Sequence, residues 1–325
     1  KMKKYSSMYR LPLSQLSFLL VFSSLVSCQL DYNFYDRTCP NLFRIVRYGV
    51  FSAISNDTRM AASLLRLHFH DCIVNGCDGS VLLDGNEKNA LPNSNSLRGF
   101  EVIDAIKADL ERACPGTVSC TDVLALAARE AVFQSGGPGW NLQLGRRDAL
   151  TASEAAANQQ IPSPFEPLAN ITAKFTSKGL DLKDVVVLSG GHTIGLARCV
   201  TFKGRLFDFG GTGKPDPSLD TSLLQNLQSV CPNQVNSDSN LAPLDTATPR
   251  RFDNYYHKLV VNNSGLLQSD QALMGDSNAA SMAINYSKYP YLFNREFAAS
   301  MVKMANIRVL TGQQGEIRRN CRMVN

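Results

Sequence analysis

Residues 66–80, RLHFHDCIVNGCDGS, bring an arginine, two histidines, two aspartates and two cysteines into fifteen positions. Three kinds of chemistry are open to such a set: proton transfer by an imidazole beside a fixed cation, coordination of a hard cation by closely spaced oxygens, and closure of a loop by a disulfide. Apolar residues at Met60, Ala61, Leu64, Leu65 and Phe69 recur at helical spacing, which predicts a helix over 57–72. On that helix Arg66 and His70 are four residues apart and share a face, with Phe69 beside them, whereas His68 lies roughly 200° round from His70 at about 100° per residue. The two histidines therefore cannot clamp one metal ion. His68 reads as a satisfied structural histidine. For His70 two readings stay open, a base next to a permanent cation and an ordinary exposed pair.

Beyond His70, Asp71, Asp78 and Ser80 with Gly76 and Gly79 form a tight, oxygen-rich loop. Such a loop suits Ca²⁺, although its spacing is not that of an EF-hand, and it equally suits an Asx turn. A second histidine stands in LSGGHTIG, residues 188–195, where His192 follows a predicted helix and two glycines that let a bulky group approach the backbone. Only four histidines exist in the chain, so a three-histidine zinc site would consume nearly all of them. Cysteines tied in disulfides cannot serve as thiolate ligands. One histidine able to ligate a metal, plus a separate His–Arg pair, suits a haem better than zinc.

The elements that must position these residues are mostly helical. Besides 57–72, the residues at 96–113, 119–133, 181–189 and 295–305 carry helical periodicity, several behind a Ser or Asp at the N-cap position. Strand signals are few. Glycine and proline cluster at 136–139 and 210–215, and Ile161-Pro-Ser-Pro reads as an extended link, because residues before proline are pushed out of the helical region. With 325 residues and 44% hydrophobic content the chain can bury a large core, and it shows no internal repeat.

The first 28 residues differ from the rest. Lys1, Lys3, Lys4 and Arg10 precede an apolar run over 16–26 diluted by serines, the pattern of a secretory signal peptide and too short for a membrane span. The domain reading is a signal segment at 1–28 and one domain over 29–325. The net charge of +5 rests on that segment; without it 29 basic residues face 28 acidic ones, about +1, so the charge implies neither a nucleic-acid nor a membrane partner. Cys28 falls beside the signal, leaving Cys39, Cys72, Cys77, Cys114, Cys120, Cys199, Cys231 and Cys321, an even eight that in a secreted chain implies four disulfides. Eight cysteines allow 105 pairings, and only Cys72 with Cys77 is favoured by closeness. Sequons at Asn56, Asn170, Asn262 and Asn285 fit the same compartment.

Taken together, RLHFHDCIVNGCDGS, NSLRGFEVID, VSCTDVLALAAREAV, GRRD, LSGGHTIG, TPRRFDNYY, LLQSDQAL and NCRMVN, in that order, make the chain resemble the secretory (class III) plant haem peroxidases from about residue 29 to 325. The resemblance implies a mainly α, two-lobed fold with one haem b between the distal and proximal helices, two Ca²⁺ ions, and a monomer located outside the cell in the wall or apoplast. Carried over residue by residue, Arg66, Phe69 and His70 become the distal catalytic group, with Asn93 orienting His70 and Glu87 in the same hydrogen-bonded chain. His192 becomes the axial iron ligand and Asp270 its carboxylate partner. The distal Ca²⁺ would take Asp71, the Val74 and Gly76 carbonyls, Asp78 and Ser80; the proximal one Thr193, Asp245, Thr248, the Arg251 carbonyl and Asp253. Pro162 would mark the haem edge where aromatic donors sit. The implied disulfides are Cys39–Cys114, Cys72–Cys77, Cys120–Cys321 and Cys199–Cys231. One departure stands out: only Gly85 and Asn86 separate Asp84 from Glu87, about five residues fewer than the family pattern, in the loop that leads to Glu87 and Asn93.

The activity so implied is reduction of hydrogen peroxide with one-electron oxidation of phenolic or other small aromatic donors, His70 moving the proton and Arg66 stabilising negative charge. Three rivals remain. A secreted, calcium-binding, disulfide-rich structural protein would leave Arg66, His70, His192 and Asp270 without a purpose. A zinc hydrolase is weakened by the histidine count, and an intracellular ascorbate-type peroxidase by the signal segment and the eight cysteines.

Overall fold

The structure is a computed structural model and describes residues 30–325; the expected signal segment lies outside them. Its architecture is the mainly α one expected. The first group of helices is α1 (Leu42–Asn56), α2 (Met60–Ile73), α3 (Asn86–Asn89), α4 (Phe100–Ala113) and α5 (Cys120–Gln134), followed by α6 (Glu154–Gln160). The second is α7 (Leu168–Thr176), α8 (Leu182–Ser189), α9 (Lys203–Phe207), α10 (Thr221–Val230), α11 (Tyr255–Val261), α12 (Gln268–Gln271), α13 (Ser277–Lys288) and α14 (Pro290–Ala305). Among the described residues one two-stranded antiparallel ribbon forms, β1 (Leu196–Arg198) with β2 (Leu241–Pro243), Ala197 facing Ala242.

The predicted helices are present with shifted ends. α5 starts where expected because the Ser119 hydroxyl accepts from the Asp122 amide, and α8 because Asp181 and Asp184 form a capping box. α14 starts five residues before the expected 295, with Pro290 in its first turn, where a missing N–H leaves no bond unmade. The sequence reading did not single out α1, and its pattern explains why. Leu42, Val46 and Val50 are buried while Phe43, Tyr48 and Phe51 lie exposed on the other faces, so apolar residues all round the helix blur its period.

In the first group α2 packs across α5, and α1 lies on α4 and α5; in the second α13 rests on α11 and α8, while α14 spans from α8 to α2. The motif GRRD belongs to this frame. Arg146, wholly buried, donates to Asp122 (Nη1 to Oδ1, 2.8 Å) and to the Ala305 carbonyl at the end of α14 (2.8 Å). The Tyr35 hydroxyl donates to the other oxygen of Asp122 at 2.8 Å. Asp148 caps the start of α5 through the amides of Cys120 and Thr121 and also accepts from the Arg318 amide near the C-terminus. Four disulfides, Cys39–Cys114, Cys72–Cys77, Cys120–Cys321 and Cys199–Cys231, match the pairing that the resemblance implies. The His192 turn lies against α2. A Cβ on Gly195, whose φ is +105°, would stand 2.8 Å from the Ala62 methyl, so glycine is required there.

Candidate active site and cation sites

Helical spacing puts Arg66 and His70 on one face of α2, and the segment after α3 holds both. Arg66 donates Nη1 to the Ser96 carbonyl (3.0 Å) and Nη2 to the Pro92 carbonyl (3.1 Å). Burial and the nearby Arg198 lower its pKa to about 10, so the guanidinium stays charged at neutral pH. His70 Nδ1 lies 2.7 Å from Asn93 Oδ1, and Asn93 Nδ2 donates to the Glu87 carbonyl at 2.8 Å. That second bond fixes the amide orientation, so Oδ1 must accept and His70 must carry its proton on Nδ1. The Nε2 lone pair is left as the base. Burial, then Arg66, holds His70 well below the usual imidazole range despite the Asn93 bond, so the ring is neutral. His70 is thus not an exposed surface histidine: it is 3% accessible. Phe69 meets its ring edge-on at 5.7 Å.

The short loop does not break this arrangement. Asp84 is tied to the C-terminal segment through the Arg322 carbonyl and side chain, and Gly85 precedes α3 with no atom within 4 Å of where its Cβ would sit. Glu87, however, joins the distal chain by its backbone carbonyl alone. Its carboxylate accepts from the Ser153 amide and otherwise faces Asp78 and Ser80, and burial pushes its pKa up to about 7.

His192 sits in the turn at Gly190–Thr193 that ends α8. Gly190 is obligatory there, since a Cβ would come within 2.4 Å of Phe293 and 2.7 Å of His257. His192 Nδ1 lies 2.8 Å from Asp270 Oδ1, the same oxygen that accepts from the Tyr256 hydroxyl at 3.1 Å, while Oδ2 accepts from the Leu267 amide at 2.9 Å. A carboxylate can only accept at this contact, so Nδ1 carries the hydrogen and the Nε2 lone pair is left free. Of the four histidines only His192 keeps an accessible side chain, 40%; the others are buried. A ring anchored at one nitrogen and open at the other fits an axial iron ligand. Tyr256 was missed at the sequence level, although it lies within TPRRFDNYY.

His68 is buried with its Nδ1 3.6 Å from Cys72 Sγ. His68, Asp71 and Cys72 lie close enough to share an ion, but Cys72 is bonded to Cys77 and offers no thiolate.

The distal oxygen cluster fits a hard cation. Asp71 Oδ1, Ser80 Oγ and Glu87 Oε1 are buried without a hydrogen-bond partner. Burial raises the pKa of Asp71 and Asp78, with repulsion from Asp78 adding at Asp71 and from Asp148 at Asp78, and unpartnered buried carboxylate oxygens are costly unless a cation neutralises them. Val74 and Gly76 lie in the same loop, where Gly76 has φ +136° and a Cβ would meet Arg308 and the Ile307 carbonyl at 2.7 Å. A second cluster forms beside His192. Thr193 Oγ1 and Thr248 Oγ1 both lie 3.2 Å from Asp245 Oδ2, and they approach Asp253 Oδ1 at 3.4 and 3.1 Å. The β1–β2 pairing brings these two stretches together. The Arg251 side chain is mostly exposed, with its Nε 3.9 Å from Asp253 Oδ2.

The Ile161–Pro164 link spans the two halves. Ile161 packs with Ile73 and Val74 at the end of α2, and the Pro164 carbonyl accepts from the Ser269 amide beside Asp270. Pro162 between them is half-buried.

A sequence model of the peroxidase family matches residues 46–289. The chain is similar to Peroxidase 10 of Arabidopsis thaliana, 60% identical over 303 residues that cover 91% of this chain and 87% of the relative. It is also similar to Peroxidase 15 of Ipomoea batatas and Peroxidase N of Armoracia rusticana, each 52% identical over 94% of this chain and over 96% and 94% of the respective relative.

Proposed function

Because this chain belongs to the class III plant peroxidases, haem enzymes that reduce hydrogen peroxide with electrons from a reductant, we propose that His192 holds the iron, His70 moves the proton and Arg66 steadies the charge. The observation that carries this reading is the difference between the two histidines' partners. His70 Nδ1 faces a neutral amide oxygen and His192 Nδ1 a carboxylate. An amide acceptor adds far less basicity to an imidazole than a carboxylate does, so burial and Arg66 can keep His70 neutral and fit for proton transfer, whereas the carboxylate makes His192 a more basic, stronger ligand.

When bound, the haem, here haem b, supplies the electrons that peroxide takes up and recovers them one at a time from donors. His70 Nε2 accepts the proton from the near oxygen of peroxide and delivers it to the far one, so that water departs. Arg66, unable to lose its proton at working pH, stabilises the negative charge that develops as the O–O bond breaks, as preorganised donors do in an oxyanion site. Asn93 keeps the His70 proton on Nδ1 throughout. Asp270, held by Tyr256 and the Leu267 amide, fixes the His192 ring and shares its Nδ1 proton. Phenolic or other small aromatic donors approach beside Pro162. The clusters around Asp71 and Asp245 would each hold one Ca²⁺, which would fix the residues that flank His70 and His192.

The domain over 29–325 works as a monomer outside the cell after removal of 1–28. Four disulfides and four exposed sequon asparagines support that compartment, and among the described residues no helix is long and apolar enough to cross a membrane. A calcium-binding structural role alone would leave the Arg66–His70–Asn93 and His192–Asp270–Tyr256 sets unexplained. The test is haem uptake followed by absorption: His192→Ala loses the haem band, whereas His68→Ala keeps it. Retention of the band in His192→Ala with its loss in His68→Ala would reassign the ligand.

A further inference from the structure

Behind His192 an aromatic path leads away from the site. Ring centroids run from His192 to Tyr256 at 6.0 Å, from Tyr256 to His257 at 5.1 Å and from His257 to Tyr286 at 5.1 Å. The path ends at α13, where the Tyr286 hydroxyl donates to Glu296 of α14, and the Glu296 side chain is 22% accessible. Gly190 closes the packing around His257, since any side chain there would strike both the His257 and Phe293 rings.

Resting on the haem reading above, we propose that Tyr286 is a second oxidation site, remote from the haem edge, which gives one electron along His257 and Tyr256 to the haem centre and releases its phenolic proton to Glu296. Three features carry this. Electron transfer falls off steeply with the gap between conjugated groups, and every step of this path is a ring-to-ring contact. A phenol is hard to oxidise while it keeps its proton, and Tyr286 alone on the path has a partly exposed carboxylate at its hydroxyl, Glu296, whose other oxygen meets Arg295 at 3.4 Å. His257 between the two tyrosines is wholly buried, with Nδ1 unpartnered; burial lowers its pKa to about 4, so the path carries no intervening positive charge.

The step balances with the established reaction. Peroxide supplies the oxidising equivalent, Tyr286 loses one electron to become a phenoxyl radical, and its proton moves to the Glu296 carboxylate. A donor outside the protein then returns one electron and Glu296 returns the proton. Tyr286 itself is 2% accessible, so phenols on polymers or surfaces too large to enter beside Pro162 would pass their electron across the α13–α14 face, where Glu296 reaches solvent, without touching the ring.

The experiment is electron paramagnetic resonance of the haem-loaded enzyme, frozen after peroxide addition without donor, with Tyr286→Phe and Glu296→Gln beside wild type. The haem absorbance change on peroxide addition, read in the same samples, reports the haem reading separately. The expected result is a tyrosyl signal in wild type that is lost in Tyr286→Phe and reduced several-fold in Glu296→Gln, with turnover of a small phenol within about two-fold of wild type. Tyr286→Phe keeps the ring and deletes only the hydroxyl, so the fold is retained. A tyrosyl signal unchanged in Tyr286→Phe, no protein radical in wild type despite a normal haem response, or a radical on Trp140, which Phe297 and Phe293 also link to His257, overturns the assignment.

Discussion

His192 and Tyr256 share one acceptor: the ring N–H and the phenolic O–H converge on the same Asp270 oxygen, at 2.8 and 3.1 Å. Two donors on one carboxylate oxygen limit how far that oxygen can draw the His192 proton. His192, Asp270 and Tyr256 thus form a three-membered set rather than a simple His–Asp pair. Removing Tyr256 and removing the carboxylate should have opposite effects. In Tyr256→Phe the carboxylate draws harder on the proton, His192 becomes a stronger donor, and the reduction potential of the bound haem moves negative; in Asp270→Asn it moves positive. Potentiometric titration reads both. Shifts of the same sign in the two variants would contradict the shared-acceptor account.

The neutral partner of His70 sets a pH limit. Burial and Arg66 hold His70 well below the usual imidazole range, so it is neutral across neutral pH, and peroxide reactivity is lost only when pH falls through that depressed value. Asn93→Asp puts a negative charge at 2.7 Å from Nδ1, which favours the protonated ring. The acid limb of the pH–rate profile is expected to move to higher pH in that variant. An unmoved limb means that another group titrates.

Glu87 separates two roles. Its backbone carbonyl serves Asn93, while its carboxylate faces the Asp78–Ser80 cluster. Glu87→Gln should therefore weaken Ca²⁺ binding and leave the rate of the peroxide reaction in Ca²⁺-saturated enzyme within a few-fold of wild type. Chelation of wild type should lower turnover while far-ultraviolet circular dichroism stays near native. Asp71 follows His70 and Thr193 follows His192, and a displacement of about 1 Å can cost on the order of 10²-fold in rate. Because the cluster carboxylates are raised in pKa without a cation, protons compete with Ca²⁺, and affinity should fall as pH is lowered. Isothermal titration calorimetry at two pH values checks this.

The Asp122–Arg146 pair is fully buried, and Tyr35 depends on the same carboxylate. Asp122→Ala leaves the guanidinium without its counter-charge and is expected to destabilise the fold by about 3–5 kcal/mol. Denaturant unfolding measures the loss. A loss under about 1 kcal/mol would mean that water or another acceptor takes over the Arg146 contacts.

Local patterns carried much of this in the sequence. Helical period placed Arg66 and His70 on one face and set His68 apart, because those relations depend only on 3.6 residues per turn. The ends of α5 and α8 were legible through Ser119 and Asp181, whose caps act within three residues. What the sequence did not expose is long-range. Tyr256 reaches Asp270 only after α11 and α12 pack, and Arg66 finds the Ser96 and Pro92 carbonyls thirty and twenty-six residues away. Glu87 was read as one role and holds two, because backbone and side chain of one residue point to different neighbours. The short 84–87 loop departs from the family pattern next to Asn93, and what anchors it, the contacts of Asp84 with Arg322, comes from the far end of the chain.

Stopped-flow absorbance of haem-loaded His70→Ala mixed with hydrogen peroxide decides whether His70 moves the proton for peroxide cleavage while His192 holds the iron. A normal haem band is expected before mixing, and then a second-order rate at least about 10²-fold below wild type, the lower range for loss of general base catalysis, with more lost where Arg66 and His70 act together. A His70→Ala enzyme that reacts within a few-fold of wild type would contradict that role for His70.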